Sequence, residues 1–197
     1  MKGDTIYLDA FGAFQRGEKL TLDDIVLYHA DCMIVRVEEE IREGETDRVE
    51  FKASTRNFEG KRDKELEKRI VKSICGFLNK DGGKLLIGVD DASNVVGLEK
   101  VYKTLGNRSS QDRFRRHLST IIKNWIGKSY FWYLKTDFHK IDGRDISETV
   151  VTKSSEPVYT KKRKGKKFWV RNETSTETLS FSEAEKYIQH RFTTKKI

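Results

Sequence analysis

Apolar and polar positions alternate with period two over Arg48-Val49-Glu50-Phe51-Lys52, which predicts a strand with Val49 and Phe51 facing a core and Glu50 beside Lys52 on the opposite face. Over residues 63–79 the period changes. Leu66, Ile70, Val71, Ile74, Phe77 and Leu78 recur at three and four residues and form the apolar stripe of a helix. Asp81-Gly82-Gly83 stops that helix and turns the chain into a mostly apolar strand at 84–89, with a turn at 90–94 and a hairpin partner opening at Val95-Val96-Gly97. A second amphipathic helix spans 111–126, with Phe114, Leu118, Ile121, Ile122 and Trp125 inward and Arg113, Arg116 and Lys123 outward.

Two long strands, 130–138 and 145–153, are joined at Asp142-Gly143. Short strands at 158–160 and 168–171 flank a polar loop, and a last helix opens at Ser182 with Glu185 three residues on. At the start of the chain a strand at 5–8, a helix from Thr21 (with Asp24 as its box partner) and a strand at 33–37 precede the acidic stretch Glu38-Glu39-Glu40 and Glu43-Gly44-Glu45. That stretch reads as a turn or linker, so residues 1–43 are expected to be an appendage packed on a main body of 44–197. The expected class is α/β in the α+β sense: one domain body, a mixed and mostly antiparallel sheet, and flanking helices.

The composition narrows the function classes. Thirty-six per cent hydrophobic residues, with 11 Phe, 7 Tyr and 3 Trp, suffice for a core and exclude wholesale disorder. The net charge of +8 is unevenly spread: residues 1–60 carry 8 basic and 14 acidic side chains, whereas 61–197 carry 31 and 17. A body so basic attracts polyanions, with nucleic acid ahead of an anionic membrane because no basic amphipathic helix has a clean apolar face. Two cysteines, Cys32 and Cys75, give neither a disulfide framework nor a multi-cysteine zinc site. No signal-type or membrane-spanning apolar run is present, so the expected location is cytoplasmic, with the nucleus as the variant.

The candidate chemistry follows from that charge. Lys161, Lys162, Arg163, Lys164, Lys166 and Lys167 place six cations in seven positions between two strands, a polycation able to track a phosphate backbone; a solvated loop and a nuclear-localisation signal are the competing readings. Arg113, Arg115 and Arg116 extend that surface or form a solvated helix face. Trp132 and Trp169 are open between base stacking and core packing, whereas Trp125 sits at core spacing. Gly82-Gly83-Lys84 lacks the spacing of a P-loop, and the four histidines show no metal spacing. Glu45, Glu50 and Asp91, with Asp90 adjacent, are carboxylates near strand ends; such groups either ligate a hard divalent cation for phosphodiester hydrolysis or are ordinary solvated surface.

The order of these pieces adds a resemblance. Glu45 followed by Glu50-Phe51-Lys52, then the stretch Cys75 to Asn79, then Gly82-Gly83, an apolar strand and Gly88-Val89-Asp90-Asp91, and finally Phe168-Trp169-Val170-Arg171, is similar to the divergent AlbA module of Schlafen proteins. The likeness runs from about Glu45 to Phe192 and implies a single Schlafen-type lobe. It implies that Glu45, Glu50 and Asp91 form a site for Mg²⁺ or Mn²⁺ that cuts RNA, that Lys52 lies in the RNA groove, and that Arg171 belongs to the closing strand and the nucleic-acid face. It implies structured small RNA as substrate, tRNA-like or a small-RNA precursor. The zinc site of mammalian Schlafen cores is not expected, since no cysteines follow His139. Those cores use two related lobes, so a homodimer or a second Schlafen-like chain is the implied partner. A non-catalytic RNA- or DNA-binding module, or a structural subunit of a nuclease complex, is the alternative.

Overall fold

The computed structural model describes residues 22–57, 59, 61–106, 111–161 and 165–193, with side chains from residue 33 onward. The chain divides into two compact units, Met1–Glu43 and Gly44–Ile197. In the first unit, helix α1 spans Leu22–Glu43. It runs straight through the segments expected to be a strand at 33–37 and an acidic turn at 38–43. Val37 and Ile41, one turn apart, are buried, and the glutamates between them are good helix formers, so helical spacing wins over the β-branched run. The strand expected at 5–8 and the Thr21 cap lie outside the described residues.

The second unit runs β1 (Val49–Lys52), α2 (Lys64–Asn79), β2 (Gly83–Ile87), α3 (Glu99–Thr104), α4 (Gln111–Trp125), a 3₁₀ turn (Lys128–Tyr133), β3 (Leu134–Ile141), β4 (Arg144–Val151), β5 (Tyr159–Thr160), β6 (Lys167–Asn172), β7 (Ser175–Thr178) and α5 (Phe181–Phe192). Among the described residues the strands form a four-stranded sheet of order β1-β2-β4-β3 and a three-stranded sheet of order β5-β6-β7. The β1–β2 pair is parallel and the remaining pairs are antiparallel. The expected mixed, mostly antiparallel sheet with flanking helices is the observed fold.

Register decides which side chains meet. Glu50 pairs with Leu85 and Lys52 with Ile87, so both charged residues share a sheet face with two fully buried core side chains. That face packs on α2 and α4 through Ile70, Ile74, Phe77, Leu78, Phe114 and Leu118. The other face is no less buried, because Phe51, Leu86, Ile146 and Glu148 are all inaccessible. Glu50 and Lys52 are therefore not a solvated edge.

Helix α2 is fixed at both ends. The Asp63 carboxylate accepts the Glu65 and Leu66 amides at 2.8 and 3.2 Å, a cap worth about 1 kcal/mol. At the far end Asn79, fully buried, donates to the Val158 and Trp169 carbonyls and accepts the Val158 amide, tying the helix to β5 and β6. Gly76 faces that crossing: a Cβ there would stand 2.7 Å from Thr176 Cγ2, so only glycine lets α2 approach β7 this closely.

Several boundaries differ from expectation. Residues 130–133 are a 3₁₀ turn rather than the start of β3, which leaves Trp132 82% exposed. Val95 makes only an isolated bridge to Val89. The last helix is capped by Ser180 with Glu183, two residues before the expected Ser182 and Glu185. The Asp142-Gly143 hairpin forms as expected, with φ of 49° and 76°, the double left-handed turn that Asp-Gly favours. No helix among the described residues is long and apolar enough to cross a membrane.

Candidate nucleic-acid interface and its acidic cluster

Glu50 is the centre of a buried ionic cluster. Its Oε1 accepts the Lys52 ammonium at 2.7 Å and the Ser73 hydroxyl at 3.0 Å, while its Oε2 accepts Arg171 Nη1. Arg171, 1% exposed, also donates through Nη2 to the Thr46 and Val49 carbonyls at 2.5 and 3.1 Å, and its guanidinium lies 5.3 Å from the Phe77 ring centre. One cation from β6 thus holds down the entry to β1, a carboxylate within it, and a ring of α2. The Arg171 Nε has no partner, so the guanidinium is nearly but not fully satisfied.

Glu45 precedes β1 and turns back on it. Its Oε1 accepts the Phe51 amide at 2.7 Å and lies 3.8 Å from Lys52 Nζ. The turn before the strand, required if residues five apart are to meet, is the one observed. The two carboxylates differ in electrostatics. Burial raises the Glu45 pKa, the Phe51 amide opposes it, and the Glu50 charge adds to the rise. Burial also works against ionised Glu50, but Lys52 and Arg171 together outweigh it and hold the carboxyl below its usual range.

Asp91 is exposed on the turn after β2. Its neighbour Asp90 closes the turn by accepting the Ala92 and Asn94 amides at 3.0 and 2.9 Å. Among the described residues no three or more His, Cys, Asp or Glu side chains gather so as to hold a metal ion. The donor type at Glu45 and Glu50 suits a hard cation. The arrangement does not fit one: the two negative charges are already matched by Lys52 and Arg171, and a divalent ion would have to displace an ammonium that sits between the carboxylates.

The basic candidates divide into two groups. Arg171 is interior and structural, which corrects its place on a nucleic-acid face. Arg113 is half-buried and donates to the Leu105 carbonyl at 3.2 Å, so it leaves the expected outer face of α4. Arg115 lies over Phe138 at 4.8 Å and donates to the Thr136 carbonyl. Arg116 is exposed, with Asp112 3.8 Å away. Around the β5–β6 hairpin, Lys161, Lys166 and Lys167 are exposed, whereas Lys162, Arg163 and Lys164 lie outside the described residues. Lys52 is bound into the acidic cluster, with 18% of its side chain accessible.

The tryptophans sort the same way. Trp169 is buried, donates to the Thr160 hydroxyl at 3.1 Å, and has Lys72 and Lys167 each 5.5 Å from its ring centre. Trp125 donates to Glu67 at 3.1 Å. Only Trp132 presents its ring to solvent. Pattern reading missed Ser73, and it missed a second buried cluster, in which Glu148 accepts from Lys84 at 3.2 Å and meets His139 Nε2 at 2.8 Å. Strand pairing across β2, β4 and β3 assembles that cluster, and no local spacing announces it.

The comparisons with known proteins agree with this architecture. The profile of the Schlafen AlbA_2 family matches residues 45–180. The chain belongs to that family, and it is a Schlafen-type AlbA_2 domain with an N-terminal helical unit. Among solved structures it is similar to the DIP2311 protein of Corynebacterium diphtheriae, with a TM-score of 0.52 and 16% identity over 80% of this chain and 32% of that one. It thus spans about a third of that protein. A second similar structure is the N-terminal domain of a putative ATP-dependent DNA helicase RecG-related protein of Nitrosomonas europaea, with a TM-score of 0.47 and 20% identity over 72% of this chain and 89% of that one. No curated protein matches.

Proposed function

We propose that this chain is an RNA-binding domain that grips structured RNA through phosphate contacts, with the β5–β6 hairpin as its main electrostatic contact. The observation that carries this reading is a contrast between cations: the interior Lys52, Lys84 and Arg171 are paired with carboxylates, while Lys161, Lys166 and Lys167 stand exposed at the ends of the stretch 161–167, which carries six cations. Residues 44–197 carry 34 basic and 21 acidic side chains, a field that draws a polyanion in from beyond contact range. Trp132, exposed on the 3₁₀ turn, offers a ring on which an unpaired base stacks. Such binding tolerates sequence variation, because phosphates and ring faces are common to all RNA.

A second reading, metal-dependent cleavage of the bound RNA, is favoured by one observation: the carboxylates of Glu45 and Glu50, oxygen donors of the type a hard cation takes, lie at one place beside β1. It requires Asp91 to leave its exposed turn and Lys52 to move. Pairing with a second Schlafen-like lobe, in a homodimer or with another chain, fits a domain that presents one face to a duplex.

The test separates the two. The full chain is titrated into a labelled stem-loop RNA by fluorescence anisotropy in EDTA and in Mn²⁺, with products resolved on a denaturing gel. Binding that is equal in both conditions without new products supports the binding module. Cleavage in Mn²⁺ that is lost in Glu50→Gln or Asp91→Ala establishes the nuclease.

A further inference from the structure

Directly after Lys52 the chain leaves β1 and forms one wall of a cavity of about 460 Å³, whose opposite wall is α3. This lies within the size range of small-molecule sites. Arg56 on one side and Lys100 and Lys103 on the other bring three cations to the lining. Among the described residues its one lining carboxylate, Glu59, pairs with Lys61 at 2.7 Å on the surface. Among the described residues Lys100 and Lys103 form no ion pair, and Arg56 Nε is buried without a hydrogen-bond partner. A positive charge there is felt by its neighbours: burial first, and then Arg56, push the His117 imidazole down to about 4. The wall is not wholly polar, since Ala53, Val101 and the 38% exposed Val96 contribute apolar surface, and Asn57 adds an amide.

Three cations against one carboxylate in the lining suit an anion of more than unit charge. An internal phosphodiester carries one charge, whereas a phosphomonoester carries about −1.5 to −2 at neutral pH and offers three acceptor oxygens. The cavity is larger than a phosphate needs, and its apolar portion suits the flat face of a base. We propose that this cavity binds the phosphomonoester end of a nucleotide, either at the terminus of a strand or on a free nucleotide. The strand-end form deepens the RNA-binding reading and rests on it. The free-nucleotide form does not.

The experiment uses the full chain and one oligoribonucleotide prepared with a 5′-phosphate, with a 3′-phosphate and with hydroxyls at both ends, alongside AMP and inorganic phosphate. Charge-assisted contacts of this kind predict about a tenfold tighter binding of one phosphorylated form over the dihydroxyl form. That advantage is lost in Lys100→Gln/Lys103→Gln, whose positions are exposed helix sites that leave dihydroxyl binding within about twofold. AMP competes for the advantage more strongly than inorganic phosphate. AMP binding with no end preference assigns the cavity to free nucleotides. AMP binding by a chain that fails to bind the dihydroxyl RNA sinks the RNA reading and leaves this one standing. Absence of both AMP binding and end preference overturns the proposal, as does an end preference or AMP affinity that survives the double substitution.

Discussion

Glu50 and Lys166 are both charged residues on strands or their margins, and in the sequence neither looks more buried than the other. The structure gives them opposite physical situations. Around Glu50, two cations and a hydroxyl answer one carboxylate in the interior, and Arg171 Nη2 donates to two backbone carbonyls. At the β5–β6 hairpin, Lys161, Lys166 and Lys167 are exposed to water, and the stretch 161–167 contains no acidic residue. The first arrangement cancels charge and fastens β1, α2 and β6 together. The second accumulates charge and leaves it for a ligand. A matched buried ion pair adds little net stability over apolar packing, but losing one partner strands the other at high cost, so the two regions answer very differently to the same kind of substitution.

The sharpest way to break this comparison is to strand a partner. Arg171→Ala leaves the buried Glu50 carboxylate facing only Lys52 and Ser73, and is expected to cost about 3–5 kcal/mol of stability, read from urea unfolding at pH 7. A loss under about 1 kcal/mol with altered RNA affinity would move Arg171 back to the nucleic-acid face. At the hairpin the expectation reverses. Lys161→Gln/Lys166→Gln/Lys167→Gln should leave the unfolding midpoint unchanged. RNA affinity should fall about tenfold or more at low salt, and the slope of log affinity against log salt should flatten by about 2 to 3.

How much of this was legible in the sequence depends on the range of the interaction that decides it. Local periodicity placed α2, α4, β1 and the Asp142-Gly143 hairpin, since each is set by side-chain spacing or turn chemistry within a few residues. It also put Glu50 and Lys52 on one face. It misread 33–37 as a strand, because a β-branched run in isolation does not show that the surrounding acidic residues continue a helix. The resemblance put Arg171 on the nucleic-acid face, and nothing within a few residues of it tells that a glutamate 121 positions away meets it in the interior. The cavity was invisible for a related reason: Lys100 and Lys103 lie on a six-residue helix, too short to show an amphipathic pattern, and Arg56 comes from a loop.

Smaller effects sharpen the same contrast. Trp132→Ala removes an exposed ring, so stability should hold while affinity for a single-stranded loop falls by about 1 kcal/mol, close to fivefold, in anisotropy titrations. Acid should act on the interior and spare the hairpin. The Glu50 pKa is held below its ordinary 4.5, so its contribution is complete above 4.5 and lost as pH falls through the lowered value; Glu67 and Glu148 are lowered as well and act in the same direction. The Glu45 pKa is raised, so its contribution has the opposite sign, present below 4.5 and lost as pH rises through the raised value. Stability should therefore decline on acidification, first below 6.5, where the unfolded chain protonates His117 and the folded one holds it neutral down to about 4, and further below 4.5 with the carboxylates; Glu50→Gln should show a shallower decline than the parent below 4.5 in urea midpoints at several pH values.

The central claim is that free surface cations bind RNA while the acidic cluster serves the fold. The salt dependence of stem-loop RNA binding, measured by anisotropy in EDTA, tests it most directly. The account predicts binding that persists in EDTA, a steep negative slope of log affinity against log salt, and the same curve for Glu45→Gln. An absence of binding until Mn²⁺ is added, or a slope near zero, would contradict it.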